Sequence, residues 1–350
     1  IVNPNRHDCE FPSKSIAGVG VAFYLLIALR SALRDVGHFA QQPPPNLADL
    51  LDIVALGTVA DVVALDANNR TLVHQGLARI RSGKTRPGIT ALIEVANRNA
   101  ALAPRLNAAG RLDDMSLGIA CLLATDINQA RRIAAELDSL NHERREIEQG
   151  MQLEAQAVLD KLAFSDEQTP DAICLYQEDW HQGVIGILAG RLKEKYHRPT
   201  VIFAGGDNGE IKGSCRSIER EFEQAVSGQL SEEHKRCIIL TDGELADDCF
   251  SMEFANVLKQ AGPWGQQFPE PVFEHTFELV QQRIVGEKHL KLVLKHRSGR
   301  LVDAIAFGID VREWPDTEAR LVKLAYQLDI NEFRGKFSLQ LIVRELQKVA

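Results

Sequence analysis

"DAICLYQEDWHQGVIGILAGRLKEKYHRPTVIFAGG", residues 171–206, holds the change of hydrophobic period that decides the fold. "DAICLYQ" reads as a strand, "GVIGILAGRLKEKYH" as a helix and "PTVIFAGG" as a second strand, which together make a βαβ unit. "GGDNGEIKGSCRS" adds a turn and a third short strand. Upstream, from Asn128 to about Leu162, dense charge pairing and one Gly keep a helical period without a break. At about 1.5 Å per residue such a helix spans on the order of 50 Å, the length of a strut between two bodies. Downstream, residues 271–350 turn β-rich, with about five strands and little helix, which fits a small closed barrel of the OB type.

The N-terminal part reads as helical. Helices are expected at 15–34, at 47–56 with Asn46 as cap, near 69–81, at 87–97 and at roughly 116–124. The G-x-G at 18–20 lacks a third glycine and a preceding strand, so it reads as close helix packing rather than a dinucleotide loop. "ALAPRLNAAGRLDDM" at 101–115 reads as irregular, and no internal repeat is visible.

The 350 residues, 45% of them hydrophobic, suit two or three soluble domains. Net charge is −8, which argues against coating nucleic acid by bulk charge but leaves room for a local basic groove. No stretch approaches the roughly 18 apolar residues of a membrane span, and "IVNPNRHDCEF" lacks the layout of a signal peptide. A cytoplasmic protein with no membrane partner is expected. Opening on Ile rather than Met points to upstream sequence. Cys9, Cys121, Cys174, Cys215, Cys237 and Cys249 are scattered without a C-x-x-C pair, so free thiols are expected rather than a zinc site.

Four stretches could carry chemistry. In "VALGTVADVVALD", residues 54–66, Asp61 sits in an apolar run built to be buried, and a buried carboxylate needs a partner. A salt bridge or helix cap would serve, and so would a hard divalent metal; Asp66, Asp113 and Asp114 are nearby but have loop-like neighbours. "PRLNAAGR", 104–111, reads as a loop in which Arg105 and Arg111 could grip phosphate, or as a solvated turn. His181, Gln182 and Gly183 stand where a strand meets a helix, with backbone N–H groups that could receive an anion, although His181 could equally cap the helix. In "KGSCRS", Lys212, Ser214, Arg216 and Ser217 offer donors on a turn, either a phosphate contact or a plain polar turn. Finally Arg283, Lys288, His289, Lys291, Lys295, His296 and Arg297 gather positive charge in one hairpin of the barrel, a track for a single strand or a solvated face.

Taken in order, "NPNRHDCEFPSKSIAGVGVAF", "DIVALGTVADVVALDANNR", "PRLNAAGRLDD", "DWHQGVIGILAGR", "KGSCRS", "AGPWGQQFPEPVF" and "RIVGEKHLKL" resemble the RecJ family of single-strand-specific exonucleases, within the DHH phosphoesterase superfamily. The resemblance implies an α/β fold in four parts. These are the C-terminal part of a DHH domain at 1–126, a connecting helix at 127–163, a DHHA1-like domain at 164–265 and an OB barrel at 266–350. It implies 5′-to-3′ hydrolysis of single-stranded DNA to mononucleotides with Mn²⁺ or Mg²⁺, two ions in all, in repair and recombination. Single-strand-binding protein and other repair proteins are the candidate protein partners. Asp61 would be a metal ligand and catalytic. Arg105, Asn107, Arg111, Ser214 and Arg216 would bind phosphate, with His181, Gln182, Gly183, Ser217, Lys288 and Lys291 as further DNA contacts. The family's D-x-D and D-H-H motifs lie upstream of Ile1, and its glycine-glycine-histidine motif is missing after "GSCRSIER", as if loops had been omitted. Cys215 replaces the glycine of "GSGRS", where a side chain could crowd a backbone contact. Two other readings compete: a non-catalytic single-strand-binding module, and a phosphoesterase for short oligonucleotides or cyclic dinucleotides.

Overall fold

A computed structural model describes residues 2–96, 102–112, 114–161, 171–206, 209–217, 238–286, 288–311, 314–333 and 335–349. Asp113, Cys237 and the stretch after Ser217, where the glycine-glycine-histidine motif was expected, lie outside the described residues. The chain divides into two compact units, one of residues 41–60 and 76–238, the other of residues 1–40, 61–75 and 239–350.

In the first of these, a single 3₁₀ turn (Leu47–Leu50), whose Asn46 cap accepts from the N–H of Ala48, leads into α2 (Leu51–Ala60). After α3 (Ala67–Arg81) come α4 (Pro87–Val95), α5 (Ala103–Leu112), α6 (Ser116–Leu123) and the 35-residue α7 (Ile127–Lys161). α7 buries Ala130, Ala134, Leu137, Asn141, Arg144, Glu148, Met151, Ala155 and Leu159, one stripe at steps of four and three. Its first third packs on α4, α5 and α6 through Leu92, Leu106 and Cys121. Its last third packs through Met151, Ala155 and Leu159 on α8 (Ile185–Tyr196) and the sheet. α7 is therefore the spine of one unit over its whole length, where a bare strut was expected.

The sheet has the order β1 (Ile173–Gln177), β2 (Thr200–Gly205), β3 (Ile211–Arg216). β1 and β2 are parallel and joined by α8, as the βαβ reading predicts. α8 buries Ile185, Leu188 and Leu192 against Ile173, Leu175 and Ile202. β3 returns antiparallel to β2, with Ser214 opposite Ile202 and Arg216 opposite Thr200. "KGSCRS" is thus mostly strand, not turn.

The other unit holds α1 (Gly18–Asp35) and a closed barrel of β4 (Phe273–Val285), β5 (His289–Lys295), β6 (Leu301–Phe307), β8 (Lys336–Val349) and β7 (Leu321–Phe333), preceded by α9 (Met252–Ala261). β6 and β8 run parallel, and β7 closes back on β4. This is the strand order of an OB fold, and alternate residues such as Leu290, Leu292 and Leu294 fill the interior. Phe250 sits in the barrel among Phe277, Tyr326, His275 and His296. The preceding turn is pinned to the same unit: the N–H of Leu65 bonds Gln266 O at 2.9 Å and the Arg70 guanidinium lies over Phe268 at 4.1 Å.

Two local expectations change. "PRLNAAGR" is helix α5, not loop: Pro104 falls in the first turn, where its missing N–H costs nothing, and Ala108 and Ala109 are fully buried. Asp61 is exposed in the turn after α2, ahead of Val62 at φ +53°, and makes no hydrogen bond or ion pair with the described residues. The buried carboxylate of this segment is Asp52, which takes hydrogen bonds from Thr85 and from the Arg86 N–H and guanidinium. Burial pushes its pKa up, but Arg86 and Thr85 together outweigh that and hold it below the ordinary value.

The barrel makes a pH-dependent contribution to stability. Burial lowers the pKa of His275 and His296 from the ordinary 6.5; Glu244 and Asp247 pull the other way, and Arg297 adds to the lowering. Since the folded value lies below the unfolded one, the contribution is complete above about pH 6.5 and is lost as pH falls through the folded values. The urea midpoint of the barrel transition is expected to fall as pH is lowered below about 6.5, and the double variant His275→Phe, His296→Phe is expected to flatten that fall. An equal slope in the variant would assign the effect to other groups.

Candidate anion-binding site

Three elements of the α7 unit line a cavity of about 460 Å³: the last turn of α5, the junction into α8, and β3. Arg111, Lys212 and Arg216 supply three cations, Ser214 a hydroxyl, and Gln182, Gly183 and Gly186 the wall. Among the described residues no acidic side chain lines it. Arg111 donates from Nη1 to Gly183 O at 3.1 Å, and Arg216 from Nη1 to Ser214 Oγ at 3.1 Å and to Cys215 O at 2.8 Å. Burial lowers the pKa of Arg111, and repulsion from Arg144 and Arg216 lowers it further, against a smaller pull from Glu148. It stays charged at neutral pH, crowded by like charge and with only a carbonyl as partner among the described residues.

Two glycines are required by this geometry. A Cβ on Gly183 would overlap the carbonyl oxygen of Arg111, and one on Gly186 would sit 3.0 Å from both Ser214 Oγ and Arg216 Nη2. The cationic wall closes up only because α8 begins without side chains there. Cys215 does not crowd it: along β3 successive side chains alternate, so Cys215 faces away from the side that carries Ser214 and Arg216.

Of the residues expected to contact phosphate, Arg111, Gln182, Gly183, Ser214 and Arg216 come together here. The others are placed differently. Arg105 is buried, with Nε 2.7 Å from Asp138 Oδ1, so its charge is spent within the helical layer. Asn107 is half-buried on α5, and Ser217 follows β3 without lining the cavity. His181 shapes the junction instead of presenting free donors: its Nδ1 accepts from the N–H of Gly183 at 3.1 Å, and its carbonyl accepts from Val184 and Ile185. The N–H groups of Gly183, Val184 and Ile185 are therefore already bonded, and the charged donors of the site are side chains.

Asp61, Lys288 and Lys291 belong to the other unit. The basic hairpin there is largely neutralised: Lys291 pairs with Asp303 at 2.9 Å, Lys295 with Glu278 at 2.9 Å, and Arg297 with Glu244 and Asp247 at 3.2 and 3.1 Å. His296 is buried, while Arg283 and Lys288 are exposed. Sequence reasoning passed over Asn141, Arg144, Glu148 and Arg191 beside the cationic site. The signal is available: N-x-x-R-x-x-x-E falls on the buried stripe of α7, where apolar residues are due.

Residues 169–231 match the DHHA1 domain and residues 241–345 the RecJ OB domain. The single-stranded-DNA-specific exonuclease RecJ of Salmonella typhimurium is 51% identical, covering 99% of this chain and 70% of the relative. That of Escherichia coli is 50% identical over 98% and 69%, and that of Haemophilus influenzae 46% over 100% and 70%. The chain thus spans about 70% of the length of these relatives. Among solved structures, RecJ of Thermus thermophilus in complex with Mg²⁺ superposes with a TM-score of 0.71 at 25% identity, over 97% of this chain and 57% of that one. The same protein with Mn²⁺ gives 0.68 over 97% and 54%.

The two classes of arginine separate by experiment. Arg105→Ala leaves Asp138 without its buried partner and is expected to cost about 2 kcal/mol of stability in urea unfolding. Arg216→Ala, at an exposed cation, is expected to change stability by no more than roughly 0.5 kcal/mol. Equal losses would mean that Arg216 is structural.

Proposed function

The chain belongs to the RecJ family of single-stranded-DNA-specific exonucleases, and on that footing we propose that it serves degradation of single-stranded DNA from the 5′ end to 5′-mononucleotides, with a divalent metal, in DNA repair and recombination. The observation that carries the reading is the convergence of Arg111, Lys212, Ser214 and Arg216 on one cavity, with no acid in its lining among the described residues. Guanidinium forks suit the non-bridging oxygens of a phosphate, and each charge-assisted hydrogen bond contributes about 1.5–3 kcal/mol. Fixing a phosphate against β3 and the start of α8 holds the strand in register, which lowers the entropic part of the barrier to hydrolysis. On the barrel, Lys288 is the exposed cation we assign to the rest of the strand, with Lys291 secondary because Asp303 already holds it.

Metal chemistry is not built from these residues alone. Among the described residues no group of three His, Cys, Asp or Glu side chains could hold an ion. Asp61, exposed and unpaired, is the carboxylate we assign as a ligand, and one carboxylate is not a centre. No hydrolytic step is therefore derived through the ions, although the two Thermus thermophilus structures hold Mg²⁺ and Mn²⁺. That single carboxylate is also what favours a second reading, a strand-binding body without turnover of its own. Among the described residues no helix is long and apolar enough to cross a membrane. A cytoplasmic place of action, with single-strand-binding protein and repair proteins as partners, accompanies the main reading.

The test is Mn²⁺-dependent release of mononucleotide from a 5′-labelled single strand. Labelled mononucleotide is expected from the single strand and not from a blunt duplex. Asp61→Ala is expected to abolish release and Arg216→Ala to raise KM roughly tenfold or more. Cutting of duplex at the same rate would overturn the reading. Tight binding of the strand with no release would establish the second one.

A further inference from the structure

α7 changes character in its middle. The stripe it buries is apolar at Ala130, Ala134 and Leu137 and again at Met151, Ala155 and Leu159, but between them it is Asn141, Arg144 and Glu148, at 0%, 8% and 8% exposure. Arg144 Nη1 pairs with Glu148 Oε2 at 2.7 Å, and Arg144 Nη2 donates to Asn141 Oδ1 at 3.3 Å. Glu148 Oε1 takes Arg191 Nε of α8 at 3.1 Å, so one buried carboxylate holds two guanidiniums. Arg144 Nε and Asn141 Nδ2 are buried without a hydrogen-bond partner among the described residues. Burial of this much polarity is unfavourable unless something offsets it. The same layer approaches the anion-binding cavity: Leu112, beside Arg111, and Ile147, beside Glu148, pack against one apolar cluster with Met151 and Val184, and Arg144 and Glu148 both act on the charge of Arg111.

Resting on the reading of that cavity as a phosphate site, we infer that Arg144 and Glu148 are positioning residues that set its anion affinity from behind, with opposite signs. Arg144 is an immobile positive charge that Arg111 cannot escape. Together with Arg216 it leaves Arg111 short of negative charge until an anion arrives. Glu148 moderates the effect: it pairs with Arg144 and Arg191, pulls on Arg111 in the opposite sense, and anchors α8, whose first turn carries Gly186, to α7. The device tunes how tightly a phosphate is held and released without a direct contact to it.

The two charges give the test its sign. Binding of inorganic phosphate to the full 350-residue chain is measured by calorimetry at constant ionic strength without metal, alongside Tm. Glu148→Gln keeps the shape and removes the negative charge, and is expected to bind phosphate roughly three- to tenfold more tightly while lowering the Tm of the free protein. Arg144→Met is expected to bind roughly three- to tenfold more weakly, and Arg144→Lys to restore affinity to within about twofold. A purely structural role predicts weaker binding in both Glu148→Gln and Arg144→Met, and parallel loss would overturn the inference while leaving the phosphate site standing. Unchanged affinity in Glu148→Gln would overturn it equally, and that variant decides alone if Arg144→Met does not fold. Failure of the unmodified chain to bind phosphate would remove the reading of the cavity and this inference with it.

Discussion

The α7 unit depends on one constraint, that a 35-residue helix must bury a continuous stripe over its whole length. In a folded protein most of a helix's stability comes from packing one face. Steps of four and three place nine residues on that face, and the elements on either side are shaped to receive them. α4, α5 and α6 cover the first third, and α8 with its sheet covers the last. Neither layer is large, and each would be a poor core alone. The shared helix makes them one body and sets the end of α5 beside the start of α8.

That juxtaposition explains where the glycines are. The carbonyl of Arg111 lies where a Cβ of Gly183 would be, and the side chains of Ser214 and Arg216 crowd Gly186. Any larger residue at either position would push α8 away from α5 or from β3. The cavity is consequently lined by long side chains reaching over bare backbone, an arrangement in which donors are supplied by arginine rather than by a helix N-terminus. The N–H groups of Gly183, Val184 and Ile185 are already bonded to His181.

What was legible in the sequence follows from what periodicity can report. The βαβ unit, the long helix and the five strands are each long enough for a period to show, and the barrel's alternation at Leu290, Leu292 and Leu294 is as regular as the reading assumed. Asp61 was misread because an apolar run was equated with burial. α2 ends at Ala60, so Asp61 belongs to a turn, and the buried acid is Asp52, one helical face away and matched by Arg86. In the barrel hairpin the sequence leaves a strand track and a solvated face both open for a related reason. Sequence shows Lys291, Lys295 and Arg297 near one another, whereas cross-strand register sets Lys295 opposite Glu278 and brings Asp303 to Lys291.

The two arginines of "PRLNAAGR" show what is gained once a stretch is known to be helical. Read as a loop, the motif lets both guanidiniums turn toward one ligand. On a helix, six residues are about 600° of rotation, so Arg105 and Arg111 point roughly 120° apart around the axis and face different neighbours. Arg105 lies in phase with Ala108 and Ala109 on the face buried by α7, and Asp138 is there to meet it. Arg111 comes six residues later at the helix end, where repulsion from Arg144 of α7 and from Arg216 outweighs the pull of Glu148. The same residue type is thus structural at one position and available to a ligand at the other. The difference is fixed by helical phase and by which charge α7 places opposite.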